Sequence, residues 1–111
     1  MNIEFLSPAK GGIIAMENAS NGEFIVNSDG TIWYRNELAT REMFVSRTEA
    51  AFRPAVGAFH RYNENVIGAN EELAKLAVTQ LASELRKLDC LNDGEDSFWP
   101  IILEQAKHGM L

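Results

Sequence analysis

One cysteine and two histidines, Cys90, His60 and His108, are the whole supply of the side chains that most often ligate transition metals or work as nucleophile and base. With no second cysteine there is no intrachain disulfide, which suits a reducing cytoplasm, and Cys90 reads as a small residue at a helix end. Neither histidine has a cysteine or a second histidine at metal-ligand spacing. His108 fits beside the last carbonyls of a helix, and His60, next to Arg61, reads as solvent-facing. No apolar run approaches the ~18–20 residues of a membrane span, and Glu4 stands where a signal peptide would carry basic residues. Basic residues are also scarce: ten Lys and Arg against sixteen Asp and Glu give a formal charge of −6, which argues against an electrostatic nucleic-acid binder and for solubility or basic partners. Gly11-Gly12 lacks the Lys and Ser/Thr of a phosphate-cradling loop. The acids Asp89, Asp93, Glu95 and Asp96 lack the alternating spacing and closing Glu of a calcium loop. No Ser/His/Asp or Cys/His set converges. These absences predict no metal, no cofactor and no catalytic residue.

What is present is organised around one stretch. Phe24-Ile25-Val26 and Ile32-Trp33-Tyr34 are built of β-branched and aromatic residues and flank Asn27-Ser28-Asp29-Gly30, so they predict a β-hairpin. Gly30 supplies the positive φ of a three-residue loop with a bulge, while Asn27 and Asp29 bond backbone in the turn. Phe24 and Val26 share one face with Ile32 and Tyr34, and Ile25 and Trp33 lie opposite. Such a hairpin needs a third strand and a helical layer. Upstream, residues 3–6 form a possible strand ended by Ser7-Pro8, Gly11-Gly12 allows a sharp reversal, and residues 13–16 read as a strand folded back by the turn-rich 18–22. Residues 36–40 suit a connecting loop. Met43-Phe44-Val45 fits either a fourth strand or the first buried residues of a helix.

Three helices follow. Ser46 and Glu49 have the spacing of a capping box, so a first helix is predicted from Ser46, with Phe52, Val56, Phe59 and Tyr62 or Asn63 as its buried stripe. Pro54 then requires either a kink over 50–54 or a start near Arg53. Asn70 with Glu71 and Glu72 opens a second helix striped by Leu73, Leu76 or Ala77, Leu81, Leu85 and Leu88, with Arg86 and Lys87 in its last turn. A polar break over 89–96 ends it. Ser97 caps a third helix whose face carries Trp99, Ile102, Leu103, Ala106 and Met110, Pro100 sits in its first turn, and Gly109 stops it. Strands first and helices after predict one α+β domain over 1–111: an antiparallel β-meander of about three to five strands followed by three helices packed on one face.

The last segment, Ser97-Phe98-Trp99-Pro100-Ile101-Ile102-Leu103-Glu104-Gln105-Ala106-Lys107-His108-Gly109-Met110-Leu111, resembles the end of bacterial SUKH-superfamily immunity proteins of the fourth subgroup, which close on W-P-x-x-L-E-Q-x-x-x-G-x-L. The Gly22–Trp33 hairpin pattern, the entry Phe44-Val45-Ser46 into a helix bearing Phe52, Phe59 and Tyr62, and the Leu-striped helix ending Leu88-Asp89 are similar in order. The resemblance covers roughly 22–111 and implies a cytoplasmic, non-catalytic protein that binds and neutralises a cognate polymorphic toxin. Members usually carry additional helix and strand segments before the matched region. A sheet without them would expose an edge, implying a homodimer or strand-added complex with residues 3–6 or 12–17 at the seam. The competing class is a small adaptor or oligomerising subunit that uses a sheet edge; a ligand-binding domain is a third reading.

Binding residues gather on loops held by a rigid scaffold. Two patches fit: the acidic loop of Asp89, Asp93, Glu95 and Asp96, and the 18–22 turn with Glu17 and Glu23 beside it. The loop is favoured, since residues 63–111 carry nine acidic and four basic side chains against seven and six in residues 1–62, and a toxin acting on nucleic acid presents a basic cleft.

Overall fold

A computed structural model describes residues 1–37 and 42–109 of the chain. Five strands, β1 (Ile3–Lys10), β2 (Ile13–Glu17), β3 (Glu23–Val26), β4 (Ile32–Arg35) and β5 (Met43–Ser46), precede three helices, α1 (Glu49–Val66), α2 (Glu71–Lys87) and α3 (Phe98–Lys107). The strands form one antiparallel meander in the order β1-β2-β3-β4-β5. The architecture is α+β. Turn chemistry sets the early reversals. Gly11 and Gly12 both take positive φ, 62° and 82°, and as a two-residue connection they match the right-handed twist of β1 and β2. In the central hairpin the Asn27 N–H donates to the Thr31 carbonyl and the Gly30 N–H to the Asn27 carbonyl, each at 2.9 Å, with Gly30 at φ 86°. That is the expected three-residue loop. Its register, Phe24 opposite Tyr34, Ile25 opposite Trp33 and Val26 opposite Ile32, is also the expected one.

Two expectations about the first strands are corrected. β1 runs through Ser7 and Pro8 to Lys10 instead of ending before them, because an edge strand needs donors on one side only; its pairing skips between Phe5 and Lys10. β2 is paired on both sides, so residues 13–17 are interior to the sheet and offer no seam. The loop expected over 36–40 runs past residue 37, outside the described residues, as does Met110.

The start of α1 differs from the capping-box expectation. Ser46 belongs to β5 and its buried hydroxyl accepts from Trp99 Nε1 at 3.4 Å, so it is not free to cap. Thr48, in extended conformation, accepts from the Ala51 N–H at 3.1 Å, and Glu49 pairs with Arg53 at 2.8 Å. α1 passes through Pro54 unbroken, with the proline and Ala50 both exposed, so the carbonyl that loses its helical donor lies where water reaches it. Phe52, Val56, Phe59 and Tyr62 are buried, joined by Ala55 and Ala58; Asn63 instead donates to the Met1 carbonyl at 3.0 Å. His60 is half-buried and not simply solvent-facing: the Ile3 N–H donates to its Nε2 at 3.4 Å, tying β1 to α1.

α2 is capped by Asn70, which accepts from the Leu73 N–H at 2.9 Å. Its principal contacts are with α1 and α3 and not with the sheet, and this changes its buried stripe. Ala77, Leu81 and Leu85 are buried, whereas Leu73 and Leu76 are 54% and 53% exposed. Ala77, the smaller of the two alternatives, faces inward, which lets the two helices approach closely; Leu73 lies a turn before the first buried position. The helix ends with Asp89 at φ 58°, the Cys90 N–H donating to the Leu85 carbonyl at 2.9 Å and the Asp89 N–H to the Arg86 carbonyl at 3.1 Å, the double bond of a Schellman end. Ser97 stands at the α3 cap position without a side-chain cap; its hydroxyl donates back to the Gly94 carbonyl at 2.6 Å.

The sheet's inner face and two helices meet in an aromatic cluster. Phe24 lies 5.2 Å from each of Tyr34, Phe52 and Phe98, and fully buried Trp99 packs on Phe98 at 4.9 Å and Phe52 at 6.5 Å between ring centroids. The opposite sheet face is uncovered and keeps Met16, Ile25, Trp33 and Phe44 partly exposed. Leu81→Ala is expected to cost about 2–5 kcal/mol in urea unfolding, and Leu76→Ala within about 0.5 kcal/mol. Equal losses would show that α2 buries a different face.

Candidate functional site

The break after α2 brings only part of the acidic loop to the surface as free charge. Arg47, just past β5, donates from Nε and one terminal nitrogen to Asp93 Oδ1 at 3.2 and 3.1 Å, and its other terminal nitrogen lies 3.8 Å from Asp89. Asp89 also accepts from the Asn92 amide. The Asp93 side chain is only 11% exposed. These two carboxylates hold the loop to the end of the sheet. Glu95 and Asp96 are exposed and make no ion pair among the described residues. Asp96 and Ile101 are shared by two adjoining open depressions. One is completed by Glu95, Pro100, Glu104, Gln105 and His108 of α3 and the loop before it; the other by Glu42, Met43 and Phe44 at β5 with Asp93 and Ser97. Five carboxylates line the pair, and among the described residues no Lys or Arg does. Glu104 is partly offset by Lys107 at 3.8 Å, and its Oε1 lies 3.2 Å from His108 Nε2.

Phe44 carries this surface onto the uncovered sheet face. Its ring meets Trp33 edge-on at 5.4 Å, and Trp33 Nε1 donates to Thr31 Oγ1 at 2.9 Å, itself bonded to Asp29. Sequence reasoning placed Trp33 on the correct face but did not join it, Phe44, Glu42, Ile101 or Glu104 to the acidic loop. The available signal was the edge position of the last strand, next to whichever helix follows the loop.

The second patch separates into unlike halves. Glu17 is buried, and its carboxylate accepts from the N–H groups of Ala19, Ser20 and Gly22 at 2.9, 3.0 and 2.6 Å, from the Ser20 hydroxyl at 2.6 Å and from the Tyr34 hydroxyl at 3.4 Å. It closes the β2–β3 turn from inside and presents no oxygen to a partner. Burial pushes its pKa up, but the Ser20 hydroxyl and the N–H groups of Gly22, Ala19 and Ser20 outweigh that and hold it below the ordinary glutamate value. Gly22 is required here because a Cβ would run into the Tyr34 ring. Glu23 faces Arg35 across the hairpin at 3.4 Å and lines a separate depression with Ser20, Asn21, Arg35, Asn36 and Glu37. The structure does not bring Glu17 and Glu23 together with the acidic loop.

Bond-making chemistry finds little to work with. No group of His, Cys, Asp and Glu among the described residues is placed to hold a metal ion. Burial pushes the Cys90 thiol up to about 11, with Asp93 and Asp89 adding to the rise and only the Ser46 hydroxyl opposing it, so it is a packed, protonated thiol. Among the described residues no helix is long and apolar enough to cross a membrane. Neither a protein-family model, nor a curated protein, nor a solved structure matches the chain.

The folded-state pKa of Glu17 lies below its unfolded value. Its stabilisation is therefore complete above about pH 4.3, the ordinary glutamate value, and is lost as pH falls through the lower folded value. Glu17→Gln turns an amide donor toward N–H donors and is expected to cost about 1–3 kcal/mol at neutral pH, the gap to wild type closing in acid. Melting curves from pH 7 to pH 2.5 check this; a gap independent of pH would mean that the ionised carboxylate is not what stabilises the turn.

Proposed function

We propose that this chain is a non-catalytic, cytoplasmic immunity protein of the SUKH type, which binds a protein toxin and blocks its active surface. The observation that carries the binding half is the double depression at β5 and α3, where, among the described residues, five carboxylates and no Lys or Arg surround Ile101, Phe44 and Met43. Apolar centre and charged rim is the arrangement expected of a specific, non-obligate protein interface. One sign of charge accelerates encounter with an oppositely charged partner and rejects like-charged ones. A toxin acting on nucleic acid carries the complementary basic cleft. The toxin assignment itself is supported by the resemblance of the segment from Ser97 to Leu111, together with the order of strands before helices.

The favoured residues shift accordingly. Among the described residues Asp96, Glu95 and Glu42 carry the uncommitted charge, and Asp89 and Asp93, held by Arg47, fix the loop that bears Glu95 and Asp96. The experiment is co-expression with the product of the gene directly upstream, which is expected to arrest growth when expressed alone and to be neutralised by this chain. Glu42→Lys with Asp96→Lys, still melting cooperatively, is expected to slow association with that toxin about tenfold in low salt, to flatten its salt dependence and to weaken protection. Full protection at the wild-type association rate would remove this surface from the interface, and an upstream product without toxicity would remove the immunity reading.

A further inference from the structure

We propose that β5 is a docking edge, to which a partner adds an extended segment with alternating basic and apolar residues. This rests on the binding role proposed above and states its mode. Among the described residues β5 has β4 on one side and no strand on the other, and it borders the depression that contains Asp96 and Ile101. An edge of this kind offers backbone donors and acceptors to an incoming chain. The other terminal strand is less suited: the Ile3 N–H is taken by His60, Pro8 has no N–H, and the β1 pairing skips between Phe5 and Lys10.

Side-chain alternation sets the partner's chemistry. Successive residues of an added strand point to opposite faces. On the uncovered face they meet Phe44, already packed edge-on against Trp33, which suits an aliphatic or aromatic residue. On the helix side they meet Asp96 beside Ile101, which suits Lys or Arg with its apolar stem along Ile101. A second copy of this chain is the wrong occupant. Pairing two β5 edges about a two-fold axis would bring Glu42 and Asp96 near their own counterparts, like charges in a partly desolvated seam. A nucleic acid would be repelled by the same carboxylates.

The test is a titration of the isotope-labelled protein with a peptide about eight residues long, a common strand length, that alternates lysine and valine. The amides of residues 43–46 and of Ile101 are expected to shift saturably, with those of β5 becoming protected from exchange. A peptide of the same composition with its lysines in one block, an alternating glutamate–valine peptide, and the Asp96→Lys variant are each expected to weaken binding at least about tenfold. Shifts confined to α3 with the β5 amides unmoved would overturn strand addition while leaving the acidic surface as an interface. Equal binding of the blocked and alternating peptides would overturn it as well. The growth-protection experiment decides the immunity role separately, whichever way the peptide behaves.

Discussion

Trp99 is the contact on which the rest of the structure depends. Its ring is fully buried among Phe52, Phe59 and Phe98, and its Nε1 donates to the hydroxyl of Ser46 in the last strand. One side chain thus fixes the first turn of α3 to the edge of the sheet and to α1 at once. Burial of an indole of this size contributes several kcal/mol, and the hydrogen bond fixes its orientation. The surface consequence follows directly. Asp96 and Ile101, three residues before Trp99 and two after it, can only lie beside β5.

The carboxylates divide by what holds them. Glu17 is saturated by N–H and hydroxyl donors inside a turn, Asp93 and Asp89 are held by Arg47, and Glu23 faces Arg35. These are structural charges whose negative field is largely spent within the molecule. Asp96, Glu95 and Glu42 have no such partner among the described residues, so their field extends into solvent. Counting acids along the chain cannot make this distinction. Nine acidic residues in 63–111 mark a region, whereas the position of Arg47, far away in sequence, decides which of them are available.

The same contrast explains how much was legible beforehand. The central hairpin, its loop and its two faces follow from local chemistry: β-branched and aromatic residues around a glycine that must take positive φ. So does Asn70 as a cap, since a side chain three residues from its N–H donor needs no tertiary information. Several of the errors involve distant partners. Ser46 looked like a cap because the competing donor, Trp99, lies fifty-three residues away. Leu76 looked buried because periodicity locates a stripe only to within one position, and α1 selected Ala77. Glu17 looked like a surface acid although Ser20 and Gly22 are near it in sequence, because only the folded turn, closed by Tyr34 from the next strand but one, aims their donors at one carboxylate. The candidate surface was half legible for the same reason: Glu95 and Asp96 are on a loop, but their apolar neighbours come from β5 and α3.

The segment that carries the family resemblance is mostly interior. Trp99, Ile102, Leu103 and Ala106 are buried, and Gly109 takes the positive φ that ends α3. Residues of this kind specify a scaffold, and a scaffold can present many different surfaces. Within the same helix, Pro100, Ile101, Glu104 and Gln105 face the depressions beside the loop. One helix therefore holds the fold with one side and lines the candidate interface with the other. Selection for a particular partner can change the second side with little cost to the first, because side chains at Ile101 and Glu104 are not part of the aromatic core. What cannot change freely is the register between α3 and β5, since the spacing between the uncommitted acids and the open strand edge is inherited from Trp99 and Ser46.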